Sequence, residues 1–190
     1  MMQGFIAFGI NVALLIMIWH SHYTFFRRYG IQDTFSIVLN AVLIFVVLFY
    51  IYPLKFLFTL LVNETLGTGT VTSNPSIEPA QVPQLMIIYS AGYFAVFLTF
   101  ILFYIHAYHL RKELKLNETE ILITRMSING YIIHLGISLL SIILAVLSKI
   151  FNFNSGYAGF IYFLLGPAFT AHGKITGRRL RLLKEKSEAS

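Results

Sequence analysis

Five apolar stretches, each close to or above the length needed to cross a lipid bilayer, constrain this chain more than any other feature. An α-helix rises 1.5 Å per residue, so about 20 apolar residues span a hydrocarbon core of roughly 30 Å. The runs are continuously apolar, whereas strands of a membrane β-barrel alternate apolar and polar residues. The sequence therefore predicts an all-α integral membrane protein with about five transmembrane helices, or four if the first is interfacial. The predicted spans are residues 4–20, 34–62, 85–109, 128–148 and 156–172.

The composition excludes a soluble domain and several kinds of chemistry. Hydrophobic residues make up 57% of the chain and charged residues 12%, against roughly 45–50% and 25% in soluble proteins. The absence of cysteine excludes disulfides, thiolate metal sites and cysteine nucleophiles. No acidic residue lies within a predicted span, which argues against a transporter driven by a membrane-embedded carboxylate. We expect a protein that is not an enzyme and needs no cofactor.

The basic residues predict the orientation of the chain. Twelve of the fourteen lysines and arginines lie in residues 23–33, 110–127 and 173–190, and residues 63–84 carry none. Five spans place the three basic segments on one side, which the positive-inside rule makes cytoplasmic. The amino terminus is then outside, residues 1–172 form one transmembrane domain, and residues 173–190 form a basic cytoplasmic tail. Because topology accounts for the positive charge, we expect no nucleic-acid partner.

A subset of the arginines is predicted to contact the anionic inner leaflet of the bilayer. Alternating apolar and basic residues allow the tail to lie on that leaflet as an interfacial helix, or to be solvated. The predicted inner-leaflet contacts are Arg27, Arg28, Arg178, Arg179 and Arg181.

Six histidines fall near the predicted cytoplasmic helix ends, and three interpretations stay open. They are amphipathic residues at the membrane boundary, a pH-sensitive network, or ligands for a metal or for haem b, with His106 and His134 as the haem pair. No metal-ligand spacing such as HExxH is present, so no metal site is predicted. The histidines are His20, His22, His106, His109, His134 and His172.

Polar residues inside the predicted spans indicate either hydrogen bonds between helices or a hydrated pathway. An interhelical hydrogen bond contributes about 0.6–2 kcal/mol in a membrane protein. The residues are Asn11, Asn40, Ser90, Ser138 and Ser141.

Two regions of the chain resemble the transmembrane protein 175 family of potassium channels, in its bacterial single-repeat form. The resemblance lies in Trp19-His20-Ser21-His22, Phe25-Phe26-Arg27-Arg28, Asp33, Asn40 and Tyr52-Pro53-Leu54. A second region is Leu116-Asn117-Glu118-Thr119-Glu120, which leads to Arg125 and the next span.

The resemblance implies a potassium-selective, leak-type channel. In the family, a repeat has six helices with both ends in the cytoplasm, and four single-repeat subunits surround a pore lined by the first helix. That helix carries an Arg-x-x-x-Phe-Ser-Asp signature and a hydrophobic constriction of isoleucine-type side chains. The segment Asp33-Thr34-Phe35-Ser36 is not the signature, and it lies in a different loop. The chain is therefore expected to be incomplete without an amino-terminal pore helix, or else to be a diverged relative that never had that helix.

The resemblance also implies roles for individual residues. Trp19, His22 and Asn40, with Asp33 as a weaker candidate, would hold the pore helix and couple it to its neighbours without binding ions directly. The implied partners are the bilayer of a bacterial cytoplasmic membrane, three further copies of the chain in a homotetramer, and potassium as the permeant ion. We expect no selective potassium conduction by this chain alone. A non-transporting membrane partner protein and a haem b redox protein are the alternatives.

Overall fold

Helices account for nearly all of the chain that the structure describes. The computed structural model describes the backbone of residues 2–65, 82–151 and 157–188 and the side chains of 8–9, 11–51, 53–54, 83–151 and 158–182. No strand occurs among these residues. The helices are α1 (Met2–Tyr29), α2 (Thr34–Thr65), α3 (Val82–His109), α4 (Glu118–Phe151), α5 (Tyr157–Phe160) and α6 (Leu165–Glu188), with 3₁₀ turns at Leu110–Lys112 and Ile161–Leu164.

Local signals set the tight turn between α1 and α2. Gly30 has φ +59°, and its N–H donates to the carbonyl oxygen of Phe26 at 2.9 Å. A left-handed residue after the last turn is the usual helix C-cap, and glycine adopts it without steric penalty. The carboxylate of Asp33 then accepts a hydrogen bond from the N–H of Ser36 at 3.0 Å, which caps the first turn of α2.

A capping pair starts α4. The side chain of Asn117 accepts a hydrogen bond from the Glu120 N–H at 2.8 Å, and the Glu120 carboxylate accepts one from the Asn117 N–H at 2.9 Å. This reciprocal pair satisfies two backbone donors that the helix leaves unpaired. The cap starts α4 ten residues before the predicted span at residue 128.

Helix α3 packs between α2 and α4, and α1 packs mainly against α2. Helix α4 also contacts α5 and α6. Aromatic rings fill the centre, where Phe25 of α1 lies 5.1 Å from Phe103 of α3 between ring centroids. The phenol of Tyr29 also bonds the Thr124 hydroxyl at 2.7 Å, which ties the end of α1 to the start of α4. We call the end that carries the α1–α2 turn, the α3–α4 loop and the carboxyl-terminal part of α6 the basic end.

Within the described residues, three helices are long and apolar enough to cross a membrane. They cover Thr34–Ile51, Pro83–Lys112 and Glu118–Phe151, which correspond to the second, third and fourth predicted spans. Residues 4–20 and 157–172, from the first and fifth predicted spans, are helical as well, but the described parts of α1 and α6 do not meet the same criterion. Helix α6 continues through residue 172, where the boundary between transmembrane domain and tail is predicted.

Candidate functional site

Two of the four residues predicted to hold a pore helix, His22 and Asn40, meet at the α1–α2 interface. His22 Nε2 of α1 and Asn40 Oδ1 of α2 are 2.5 Å apart, and both side chains are partly buried. Because the amide oxygen only accepts, the imidazole donates from Nε2. The His22 ring also packs on Phe26 and Phe103, at centroid distances of 4.7 and 6.2 Å. An apolar surround of this kind strengthens a polar contact and makes its loss expensive.

Asp33 lies in the same region but contacts a different histidine. Its carboxylate accepts a hydrogen bond from His106 Nε2 of α3 at 2.5 Å. The pKa of Asp33 lies below its ordinary value because Ser36 hydrogen-bonds to the carboxylate, and the contact with His106 lowers it further. The structure therefore joins Asp33 to the end of α3 and not to the His22–Asn40 pair.

Trp19 faces away from the bundle. Its side chain is 62% exposed, and its ring stacks on Tyr23 with a centroid distance of 5.7 Å. The guanidinium of Arg27 lies 6.0 Å from the Tyr23 ring, so the three side chains form a stack along one face of α1. The contacts of Trp19 are thus with its own helix, on a surface that is open in this chain.

The arginines predicted to contact the inner leaflet all lie at the basic end of the molecule. Arg27 and Arg28 occupy the last turn of α1, where a positive charge is favourable beside the helix carboxyl terminus. All five side chains are exposed. The others, on the carboxyl-terminal part of α6, are Arg178, Arg179 and Arg181.

The three serines within the spans form hydrogen bonds of two kinds. Ser90 of α3 and Ser141 of α4 are 2.8 Å apart, and Ser141 also donates to the carbonyl oxygen of Ala158 in α5 at 2.8 Å. These two hydrogen bonds connect α3, α4 and α5, as the interpretation of bonding between helices predicts. Ser138 instead donates to Leu135 O of its own helix at 2.9 Å.

The proposed haem pair is incompatible with the structure. His134 Nδ1 shares a hydrogen bond of 2.6 Å with the Tyr93 hydroxyl, and its ring stacks on Phe97 at a centroid distance of 3.9 Å. Tyr93 lies about 20 Å along α3 from His106, by the rise of 1.5 Å per residue. The two histidines are therefore too far apart to ligate one haem iron. The prediction that His134 lies near a helix end is also wrong, since it occupies the middle of α4.

The sequence does not identify the hydrogen-bond partners of Asp33 and His134. The partner of Asp33 is His106, 73 residues later, and the partner of His134 is Tyr93, 41 residues earlier. A buried polar group needs a partner, so the sequence signals that each has one, but not which one. Among the described residues no group of three or more histidine, aspartate or glutamate side chains is arranged to hold a metal ion.

The chain is similar to potassium channels over most of its length. A curated protein of Marivirga tractuosa described as a potassium channel is 40% identical over 189 residues, which covers 96% of this chain and 76% of that protein. A crystal structure of a variant of the potassium channel MtTMEM175, bound to a nanobody–MBP fusion protein, matches with a TM-score of 0.81 and 38% identity. That match covers 93% of this chain and 79% of the other. No family model matches the chain.

Proposed function

The chain belongs to the TMEM175-like family of potassium channels, and we propose that it forms the membrane body of a potassium-selective, leak-type channel. The observation that carries this proposal is 40% identity to a potassium channel across 76% of that protein's length. Potassium would pass down its gradient, selected by a hydrophobic constriction and helix-end dipoles instead of rings of carbonyl oxygens. Channels of this kind perform no covalent chemistry and need no cofactor.

We also propose that the basic end faces the cytoplasm of a bacterial cell and that the protein is multi-pass. The packing supports this orientation because the α1–α2 turn, the α3–α4 loop and the carboxyl-terminal part of α6 share one end of the bundle. Twelve of the fourteen lysines and arginines lie in residues 23–33, 110–127 and 173–190, which include or adjoin these three segments, as the positive-inside rule requires of a cytoplasmic side. The amino terminus of α1 is then outside.

The pore-lining helix is proposed to come from outside these 190 residues and to pack beside the His22–Asn40 pair. The Arg-x-x-x-Phe-Ser-Asp signature does not occur in this sequence. A large apolar surface on α2, including Phe45 at 69% and Phe49 at 70% exposure, is available for a further helix, a second copy or lipid. We propose a homotetramer around a central pore.

Potassium flux into liposomes tests the proposal. Two samples are needed: the 190-residue chain, and a longer chain that includes a preceding helix with the Phe-Ser-Asp signature. We expect flux from the longer chain and none above background from the shorter one. Flux from the 190 residues alone would refute the proposal that the pore helix comes from outside them. The absence of flux from both samples would refute the channel assignment.

A His22→Phe variant of the longer chain tests the role of the polar pair. If His22 positions the pore helix, the variant should lower flux while leaving the ratio of potassium to sodium flux unchanged. A changed selectivity ratio would instead place His22 in direct contact with the ion.

A further inference from the structure

A groove runs between α1 and α6 on the side of the bundle away from α2. Its volume is about 420 Å³, within the range of small-molecule sites. Met17 of α1 and Phe169 of α6 line its two sides, and Phe97, Phe100 and Gly130 line its base. At Gly130 the α4 backbone comes close to α6, since a Cβ there would be in ordinary van der Waals contact with the His172 ring at 3.6 Å.

The length and lining of the groove point to its occupant. Its α6 side extends from Phe169 to Leu180, about 16 Å at 1.5 Å per residue. The lining over that length is mostly aromatic and aliphatic. An extended hydrocarbon chain matches the groove in both length and chemistry.

Positive charge lies at the basic end of this groove. Arg28 follows Ser21 of the groove wall by two helical turns on the same face of α1. Arg179 follows Thr176 of the opposite wall by one turn. Within the described part of the chain, the single ion pair is between His106 and Asp33. Neither arginine therefore has a carboxylate partner there.

We propose that the groove binds an acyl chain of an anionic phospholipid, whose phosphate is held by Arg28 and Arg179. The aromatic and aliphatic walls match the hydrocarbon, and the hydroxyls of Ser127 and Thr176 near the basic end can donate to its ester oxygens. Two guanidinium groups favour an anionic over a zwitterionic headgroup, because each basic residue near the surface adds attraction. This lipid site is independent of the proposed ion conduction.

Native mass spectrometry of the intact channel tests the site, with phosphatidylglycerol and phosphatidylcholine as probes. Thr176→Trp should fill the groove and reduce retention of phosphatidylglycerol at least about tenfold, since each buried methylene contributes about 0.8 kcal/mol. Ile175→Trp is the matched control: Ile175 is on the outer face of α6, 57% exposed, and its replacement should leave retention unchanged. Equal retention by the two variants would overturn the proposal.

Two arginine variants test the proposed contact with the lipid headgroup. Arg28→Gln should weaken phosphatidylglycerol retention about fivefold and leave phosphatidylcholine retention unchanged. Arg27→Gln removes the same charge from the neighbouring face of α1, where Arg27 lies over Tyr23, and should have little effect. Equal losses in both variants, or equal retention of the two lipids by the unmodified protein, would overturn the anionic-headgroup assignment.

A cysteine probe covers the case in which protein fills the groove. These 190 residues contain no cysteine, so Thr176→Cys introduces a single thiol among them. The unfolding temperature of the variant shows whether it folds. We expect a lipid-chain maleimide to label it and phosphatidylglycerol to protect it. Crosslinking of this thiol to another protein segment, without protection by lipid, would overturn the lipid proposal.

Discussion

His22 and Asn40 join the first two helices through a hydrogen bond of 2.5 Å between Nε2 and Oδ1. Asn40→Leu or His22→Phe removes one partner and leaves the other in an apolar interface. We expect each substitution to destabilise the protein by about 0.6–2 kcal/mol. The double variant should lose less stability than the sum of the two single variants, because each single substitution already removes the same hydrogen bond. Unfolding in mixed micelles measures all three values.

Ser21→Ala is the control for this cycle. The Ser21 hydroxyl donates to Met17 O of its own helix at 3.0 Å, so its loss should change stability by little. Strictly additive effects of the His22 and Asn40 substitutions would contradict the hydrogen bond between them.

The contact between Asp33 and His106 predicts a loss of stability in acid. The pKa of Asp33 is lowered by hydrogen bonding with Ser36 and then by His106. A carboxyl whose pKa is lower in the folded than in the unfolded state stabilises the fold above its unfolded pKa. This stabilisation disappears as the pH falls through the folded pKa. We therefore expect the unfolding temperature to decrease at pH values below about 4, which is close to the ordinary pKa of aspartate.

Asp33→Asn separates this carboxyl from the other acidic groups. The variant should be less stable at neutral pH, and its stability should fall less steeply in acid. His106→Gln keeps a hydrogen-bond donor but removes the imidazole, so it should retain part of the acid dependence through Ser36. The same steep acid profile in Asp33→Asn would show that another group causes it.

Hydropathy alone predicts the three most apolar helices, with the start of α2 at residue 34 and the end of α3 at residue 109, but it misplaces the start of α4. The fourth span is predicted from residue 128, whereas α4 begins at Glu118. Hydropathy detects where a helix is apolar enough for lipid, while the helix itself continues through polar residues to its cap. The Asn117–Glu120 cap is visible in the sequence as an N-cap residue followed three positions later by glutamate.

Polar contacts between helices were predictable only in part. Of the two interpretations of the polar residues within the spans, hydrogen bonding between helices holds for Ser90 and Ser141, but no spacing rule pairs residues 51 positions apart. His22 and Asn40 were grouped through a family resemblance, which brought together two residues of different helices. Asp33 was grouped with them and bonds elsewhere, because α3 presents His106 to the α1–α2 turn.

The capping pair at Asn117 and Glu120 predicts a stability effect confined to the start of α4. Asn117→Ala removes the acceptor for the Glu120 N–H and should destabilise the protein by about 1 kcal/mol. Asn129→Ala, at an exposed position further along the same helix, is the control and should be neutral or slightly stabilising because alanine favours helix. Hydrogen exchange of the first α4 amides measures the local effect. Equal exchange in the two variants would contradict the cap.

Close approach of α2 and α3 at Gly92 gives the last prediction. A Cβ at Gly92 would overlap the ring of Tyr50, which is buried at the α2–α3 interface. Gly92→Ala should therefore destabilise the protein by about 1–3 kcal/mol through overpacking. Gly136→Ala in α4 is the matched control, since its Cβ would meet nothing within 4 Å, and it should gain up to about 1 kcal/mol from helix propensity. Opposite signs of the two effects in an unfolding assay establish the contact, and a stabilising Gly92→Ala would show that α2 and α3 lie further apart than in this structure.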